Sequence, residues 1–203
     1  MTDNKSENPM DKQIKKTILD DDTNIIDLIV EMKDLAGLVV DLGFSALLLQ
    51  DKKLAERIIE LEEDMNMKQY KIETLCMLAA NNKQDALGLI SVMKVAAAAE
   101  NISNAIKELT DTILRGIKPH PIIGEALKAS AETVDYINTG KKNKIIGKMI
   151  KDVTKGDVKV VGLKRNENWI YKPDEMSRIE PNDVIIFSGK KSVIHSLIKD
   201  IKK

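Results

Sequence analysis

From Ile25 onward the apolar residues recur at helical spacing for a long way. Ile25, Leu28, Ile29, Met32, Leu35, Val39, Leu42, Ala46 and Leu49 line one face of a first helix. Thr23 or Asn24 can cap its start. Asp51 can cap a second helix, carried by Leu54, Ile58, Leu61, Met65, Ile72, Leu75 and Leu78 and ended by Asn81-Asn82. A third runs from about Gln84 to Arg115, with Leu87, Ile90, Val95, Ala98, Ile102, Ile106, Leu109 and Ile113 in step. The pattern predicts three long antiparallel helices joined by short turns. Gly37 and Gly43 are poor helix formers in the first of them, so a neighbouring backbone is expected to pack close there.

The period changes after Ile117-Lys118-Pro119-His120-Pro121. Two prolines spaced by one residue remove backbone donors and disfavour helix before them, which marks a domain boundary. A short helical segment, Ile122 to Ser130, follows. Strand patterns cover Thr133 to Ile137, Val158 to Leu163, Trp169 to Tyr171 and Val184 to Phe187. Asn138-Thr139-Gly140, Lys164 to Asn168 and Pro181-Asn182-Asp183 read as turns. Ile145 to Lys151 reads as a short amphipathic helix. Ser192 is placed to cap a last helix with Val193, Leu197 and Ile198 on one side. The expected fold is therefore multi-domain, α then α+β. A three-helix bundle over 23–121 precedes a small antiparallel sheet over 122–203, in the order β-α-β-β-β-α with helices on its face. Residues 1–22 are polar, carry Pro9 and Asp20-Asp21-Asp22, and read as a flexible tail.

Composition narrows the function. The 32 basic and 32 acidic residues cancel, so no overall field draws the chain to nucleic acid or anionic lipid. Aromatic residues are 3%, too few for a base-stacking platform, and no nucleic-acid partner is expected. The single cysteine, Cys76, excludes an internal disulfide, fits a reducing cytoplasm and reads as a small core hydrophobe. The first twenty residues hold no apolar run of a signal peptide. Leu35 to Leu49 is the most apolar stretch, but Asp41 and Ser45 interrupt it, and a span needs about 20 apolar residues. It reads as a buried helix, and direct membrane insertion is not expected.

Few residues carry chemistry. Glu62 and Asn66 share a face of the second helix, and Glu100, Asn104 and Asp111 a face of the third. Turned together, such faces can offer oxygen ligands to a hard or borderline cation; the competing reading is a solvated polar face. Ser188-Gly189-Lys190-Lys191-Ser192 lacks the leading glycine and the hydroxyl of a phosphate loop, and Gly140-Lys141-Lys142 fails similarly. His120 and His195 have no partner at metal spacing. No nucleophile–base set is present, so the chain is not expected to be an enzyme. Lys164-Arg165-Asn166 near Trp169 and Tyr171 combines a guanidinium, an amide and aromatic faces, which suits an anionic ligand with a flat ring, or else is an ordinary charged turn.

Leu54 to Glu63 and Ala97 to Ala105 resemble the two acidic helical motifs of PhoU-like domains. Val158 to Gly189, with Arg165, Trp169-Ile170, Pro173 and Glu180 to Ile185, resembles the C-terminal subdomain of TrkA-type potassium-transport regulators, also called RCK_C. The combination is similar to archaeal two-domain PhoU–TrkA-C proteins. The resemblance implies a cytoplasmic, ligand-sensing regulatory subunit of potassium or other cation transport. It would act as a homodimer on a membrane channel or transporter. Arg165 and Asn166 would hold a small anionic or nucleotide-like ligand. The metal positions implied by the PhoU motif are Glu62, Asn66, Glu100 and Asn104. Asparagines stand where aspartates are expected, so at most a weakly bound divalent cation is implied. No Gly-x-Gly-x-x-Gly follows a strand, so no Rossmann-type nucleotide site is expected. The rival implication is a regulator of phosphate uptake, or a metal-binding module without a role in cation flux.

Overall fold

A computed structural model of the chain describes residues 24–154, 156–166 and 168–202. The tail expected over residues 1–22 and the capping residue Thr23 lie outside them. Three long helices come first: α1 (Ile25–Leu49), α2 (Lys52–Ala79) and α3 (Lys83–Leu114). Each starts on a side-chain oxygen that accepts from otherwise unpaired backbone N–H groups. Asn24 accepts from Asp27 N at 3.0 Å. Asp51 accepts from Lys53 N at 2.9 Å and Leu54 N at 3.2 Å. Asn82 accepts from Gln84 N at 2.9 Å and Asp85 N at 3.0 Å. The helix α3 stops before the prolines. Gly116 takes φ +74°, its N–H reaches Ile113 O and that of Ile117 reaches Thr112 O, a left-handed cap that a glycine adopts without strain.

The prolines instead begin α4 (Pro121–Ala129), with Pro121 in its first turn and His120 Nδ1 accepting from Ile122 N. Then come β1 (Glu132–Asn138), α5 (Ile150–Val153), β2 (Lys159–Arg165), β3 (Asn168–Tyr171), β4 (Val184–Lys190) and α6 (Lys191–Lys202). The four strands form one antiparallel sheet in the order β1-β4-β2-β3. The helix expected over Ile145 to Lys151 shrinks to α5. Gly147 sits at φ +84° and gives its N–H to Ile179 O, so the chain pairs with the segment before β4 rather than continuing a helix. Ser192 is not a cap, because β4 runs straight into α6 at Lys191. That junction needs Gly189: at φ +146°, a Cβ there would lie 2.8 Å from Asp157 O.

The chain divides into two compact units. One comprises the residues up to Val39 and Ile59–Lys107. Here Lys68 Nζ on α2 reaches Glu31 on α1 at 2.7 Å, and Leu28, Met32, Met65, Ile72, Cys76 and Ala96 are buried. Gly37 is exposed and a Cβ would meet open space, so the close backbone approach expected there does not occur. The apolar residues of α3 split. Ala96 and Ile106 face inward beside the polar Ser103, while Leu87, Ile90, Val95 and Ile102 are exposed. That helix carries two apolar stripes, and a single period cannot say which one is core.

The other unit comprises Val40–Ile58 and Glu108–Lys203. One face of its sheet presents Ile137, Leu163, Ile185 and Phe187 to Ile194, Leu197, Ile198 and Ile201 of α6 and to Ile150 and Val153 of α5. The spacing of the α6 residues is that of one helical stripe. Each such side chain contributes about 1.5–3 kcal/mol on burial. This packing is the core under the site described next.

Candidate functional site

The end of β2 carries Arg165, whose side chain crosses to the turn before β4. Its Nε donates to Asp183 Oδ1 at 3.0 Å and its Nη2 to Asp183 Oδ2 at 2.8 Å. Its Nη1 donates to Glu180 Oε1 at 2.7 Å, and its Nη2 also to Arg178 O at 2.7 Å. Asp183 is fully buried and its Oδ2 also accepts from Glu180 N. The same turn is held from the far side, where Thr139 Oγ1 donates to Glu180 O and Thr139 N to Asp183 O. A bidentate fork on a buried carboxylate is among the strongest neutralised pairs available to a protein. The hydrogen bonding to Asp183 holds the Arg165 guanidinium above its ordinary value. Arg165 thus latches β2 to the Glu180–Asp183 turn. An incoming anion would compete with two carboxylates already in place, so the structure gives this arginine internal partners where an external anion was expected. Asn166 is exposed at φ +49°, in the left-handed conformation that asparagine tolerates in a tight turn.

The second face of the same sheet is met by Val40–Ile58. Lys164 Nζ pairs with Asp51 Oδ2 at 2.9 Å and lies 5.8 Å from the centre of the Trp169 ring. Ser188 Oγ donates to Asp41 Oδ1 at 2.8 Å, and the Arg57 guanidinium stands 5.3 Å over Tyr171. Gly162 lets the Trp169 ring and Ile186 come together over the strand. The two aspartates respond oppositely to this setting. Burial pushes the Asp41 carboxyl up, against the hydrogen bond from Ser188. Burial also acts upward on Asp51, but hydrogen bonds from Lys164 and the Leu54 N–H outweigh it and its pKa is lowered. The sequence singles out Lys164 and Tyr171 only as part of a turn suited to an anionic ligand; their partners Asp51 and Arg57 lie more than a hundred residues away and no local signal announces them.

A cavity of about 380 Å³ lies at the bend, walled by Leu47, Leu48, Pro119, Pro121, Ile123 and Leu127, with Lys118 and His120 at its edge. Its size is that of a small-ligand pocket.

The acidic pairs of the helices are closed on themselves. Glu62 is buried and accepts from Asn66 Nδ2 at 3.0 Å and Lys107 Nζ at 2.7 Å. Asn104 donates to Glu100 Oε1. Asp111 pairs with Arg115 at 2.5 Å. The ammonium of Lys107 thus neutralises Glu62, at the position where the PhoU resemblance implied at most a weakly bound divalent cation. Among the described residues, no group of three or more His, Cys, Asp or Glu side chains is placed to hold a metal ion.

Three long helices followed by a four-stranded antiparallel sheet with a helix on its face define a two-domain class. The PhoU domain matches residues 29–113 and the TrkA-C domain residues 137–202, and the chain carries these two domains in tandem. No curated protein matches the chain by sequence. Among solved structures it is similar to the RCK C domain of the potassium transport protein KtrA, in complex with cyclic diadenosine monophosphate. The identity is 18%, over 40% of this chain and 96% of that one, with a TM-score of 0.32. It is also similar to the GsuK channel bound to NAD, at 11% identity over 66% of this chain and a TM-score of 0.32. This chain spans 25% of the length of that channel.

Proposed function

We propose that this chain is a non-catalytic, cytoplasmic regulatory subunit of potassium or other cation transport, working as a homodimer on a membrane channel or transporter. The observation that carries the reading is the tandem of a TrkA-C domain and a PhoU domain in one chain. The chain senses a small anionic, nucleotide-like ligand. The cavity at the bend, which lies outside the TrkA-C match, supports ligand binding by the chain, because its apolar walls suit a ring and Lys118 and His120 suit an anion. Asp41, Asp51 and Arg57 supply the coupling: the α1–α2 turn is fastened to the sheet, so a ligand preferring one sheet arrangement also biases the helices. The bias cannot exceed the ligand's difference in affinity for the two arrangements.

A thermal-shift screen tests the sensing step, with cyclic diadenosine monophosphate, NAD, ATP, magnesium and manganese as probes. A nucleotide at a hundred times its Kd should add about 2.7 kcal/mol by linkage. That corresponds to a rise in Tm of about 5–10 °C for a chain of this size. Lys118→Ala should reduce the rise. No shift with any nucleotide, or a shift with metal alone, would count against the reading. The PhoU match supports the second reading, a regulator of phosphate uptake. A phosphate transporter rather than a cation transporter beside the gene would favour it.

A further inference from the structure

The outward stripe of α3 has no cover among the described residues. Val95 is 54% and Ile102 45% exposed, and Ala98 and Ala105 are exposed beside them. The spacing of 95, 98, 102 and 105 is 3-4-3, the seam of a two-helix coiled coil. The helix α3 is also long and apolar enough to cross a membrane, by length and composition. An exposed seam of this kind takes either another helix or lipid, and the charges beside it decide between them.

We infer that α3 pairs antiparallel with α3 of a second copy, about a two-fold axis passing beside Asn101. This rests on the dimeric reading above and adds the surface and its register. Large meets small in the central layers: Val95 opposes Ala105 of the second copy and Ile102 opposes Ala98. In the same register Lys94 opposes Glu108 of the second copy, and symmetry repeats the pair. Lys94, Asn101 and Glu108 flank the seam at seven-residue intervals and all three are exposed. A parallel pairing would set each Lys94 toward Ala99 of the second copy and make no Lys94–Glu108 pair. Shifting the antiparallel register by one heptad toward the C-terminus brings Lys94 against Arg115, a like charge. Only a self-complementary patch closes a two-fold dimer, and Lys94 and Glu108 sit at equal distances on either side of Asn101. A lipid surface would gain nothing from an acid and a base placed this way.

Light scattering across a concentration series tests the register on the full chain. The wild type should be a dimer at micromolar concentration. Lys94→Glu and Glu108→Lys should each weaken it at least tenfold, and the double variant should recover most of the loss. A short bismaleimide should link Asn101→Cys chains in the Cys76→Ala background. It should not link Ser91→Cys chains, whose thiols lie about 30 Å apart in this register. A monomeric wild type would overturn the inference. So would a dimer indifferent to both charge reversals, which would place the interface elsewhere and leave the transport reading standing. Sedimentation of the wild type with phosphatidylglycerol vesicles, with no dimer in solution, would assign the stripe to lipid and overturn it as well. A dimer in the predicted register that answers to no nucleotide would leave the inference standing while the sensing reading fails.

Discussion

The sheet at the C-terminal end of the chain and the helix α3 use their residues in opposite ways. The sheet turns its charges inward and onto its own partners: Arg165 onto Asp183 and Glu180, Lys164 onto Asp51, Ser188 onto Asp41. One face is sealed by α6 and the other is met by the α1–α2 turn. The helix α3 instead turns apolar Val95 and Ile102 outward and keeps Ser103 inside. A segment whose polar groups are matched internally needs no outside partner to fold. In the dimer proposed above, the exposed seam of α3 is completed by the second copy. On that reading the sheet supplies rigidity and coupling and the helix supplies assembly.

The sharpest way to break the comparison is to remove the buried acid. Asp183→Ala strands the Arg165 fork in a site built for an ion pair, and about 3–5 kcal/mol of stability should be lost. Urea unfolding measures it, and a loss under about 1 kcal/mol would mean that the latch is idle. Arg165→Lys comes next. A lysine cannot serve both oxygens of Asp183 and also reach Glu180, so the fold should lose about 1–3 kcal/mol. An unchanged midpoint in urea would restore the solvated-turn reading of this residue.

Lys107→Met tests the helical region. Glu62 then keeps only Asn66, and about 1–2 kcal/mol should go, since an ionised acceptor is left short of a donor. Elemental analysis of the unmodified protein, purified without chelator, should find less than one tightly held metal ion per chain. Two or more would show that Lys107 gives way to metal.

The smallest effect concerns acid. Asp51 has a lowered folded pKa, so the unfolded chain binds more protons as pH falls below about 4. Its contribution is complete above that value and is lost as pH drops through the lowered folded pKa. Asp51→Asn keeps a good helix cap and removes the charge. The variant should lose up to about 1 kcal/mol at neutral pH, as expected for a part-exposed pair. The gap from wild type should narrow below about pH 4. A gap that stays constant to pH 2 would mean that the Lys164 pair contributes nothing.

Much of the fold was legible because its signals are local. Helical period, the Asp51 cap and the succession of strands and helices along the chain each depend on neighbours in sequence, and all appear in the structure. The third helix, expected to end at about Arg115, ends at Leu114, where Gly116 supplies a left-handed cap just before the proline block. Gly37 was read as a packing position because a glycine in a helix looks purposeful; it faces open space. The candidate site was far less legible. Arg165 stood out as a cation beside aromatics, yet Asp183 looked only like the third residue of a Pro-Asn-Asp turn. Their pairing over eighteen positions depends on the antiparallel register of β2 and β4, which periodicity does not give. Lys107 was passed over for the same reason, since nothing nearby in sequence points it at Glu62.

Regulation of cation movement by this chain is read out in transport by cells with and without its gene. Rubidium serves as the potassium tracer and labelled phosphate as the control, with both uptake rates followed in the same cultures. Deletion should change rubidium uptake and leave phosphate uptake as it was. The wild-type gene should restore the rate, while a Lys164→Ala, Ser188→Ala variant, whose turn is unfastened from the sheet, should restore it only partly. A change in phosphate uptake with rubidium uptake untouched would contradict the claim and hand the protein to the rival reading.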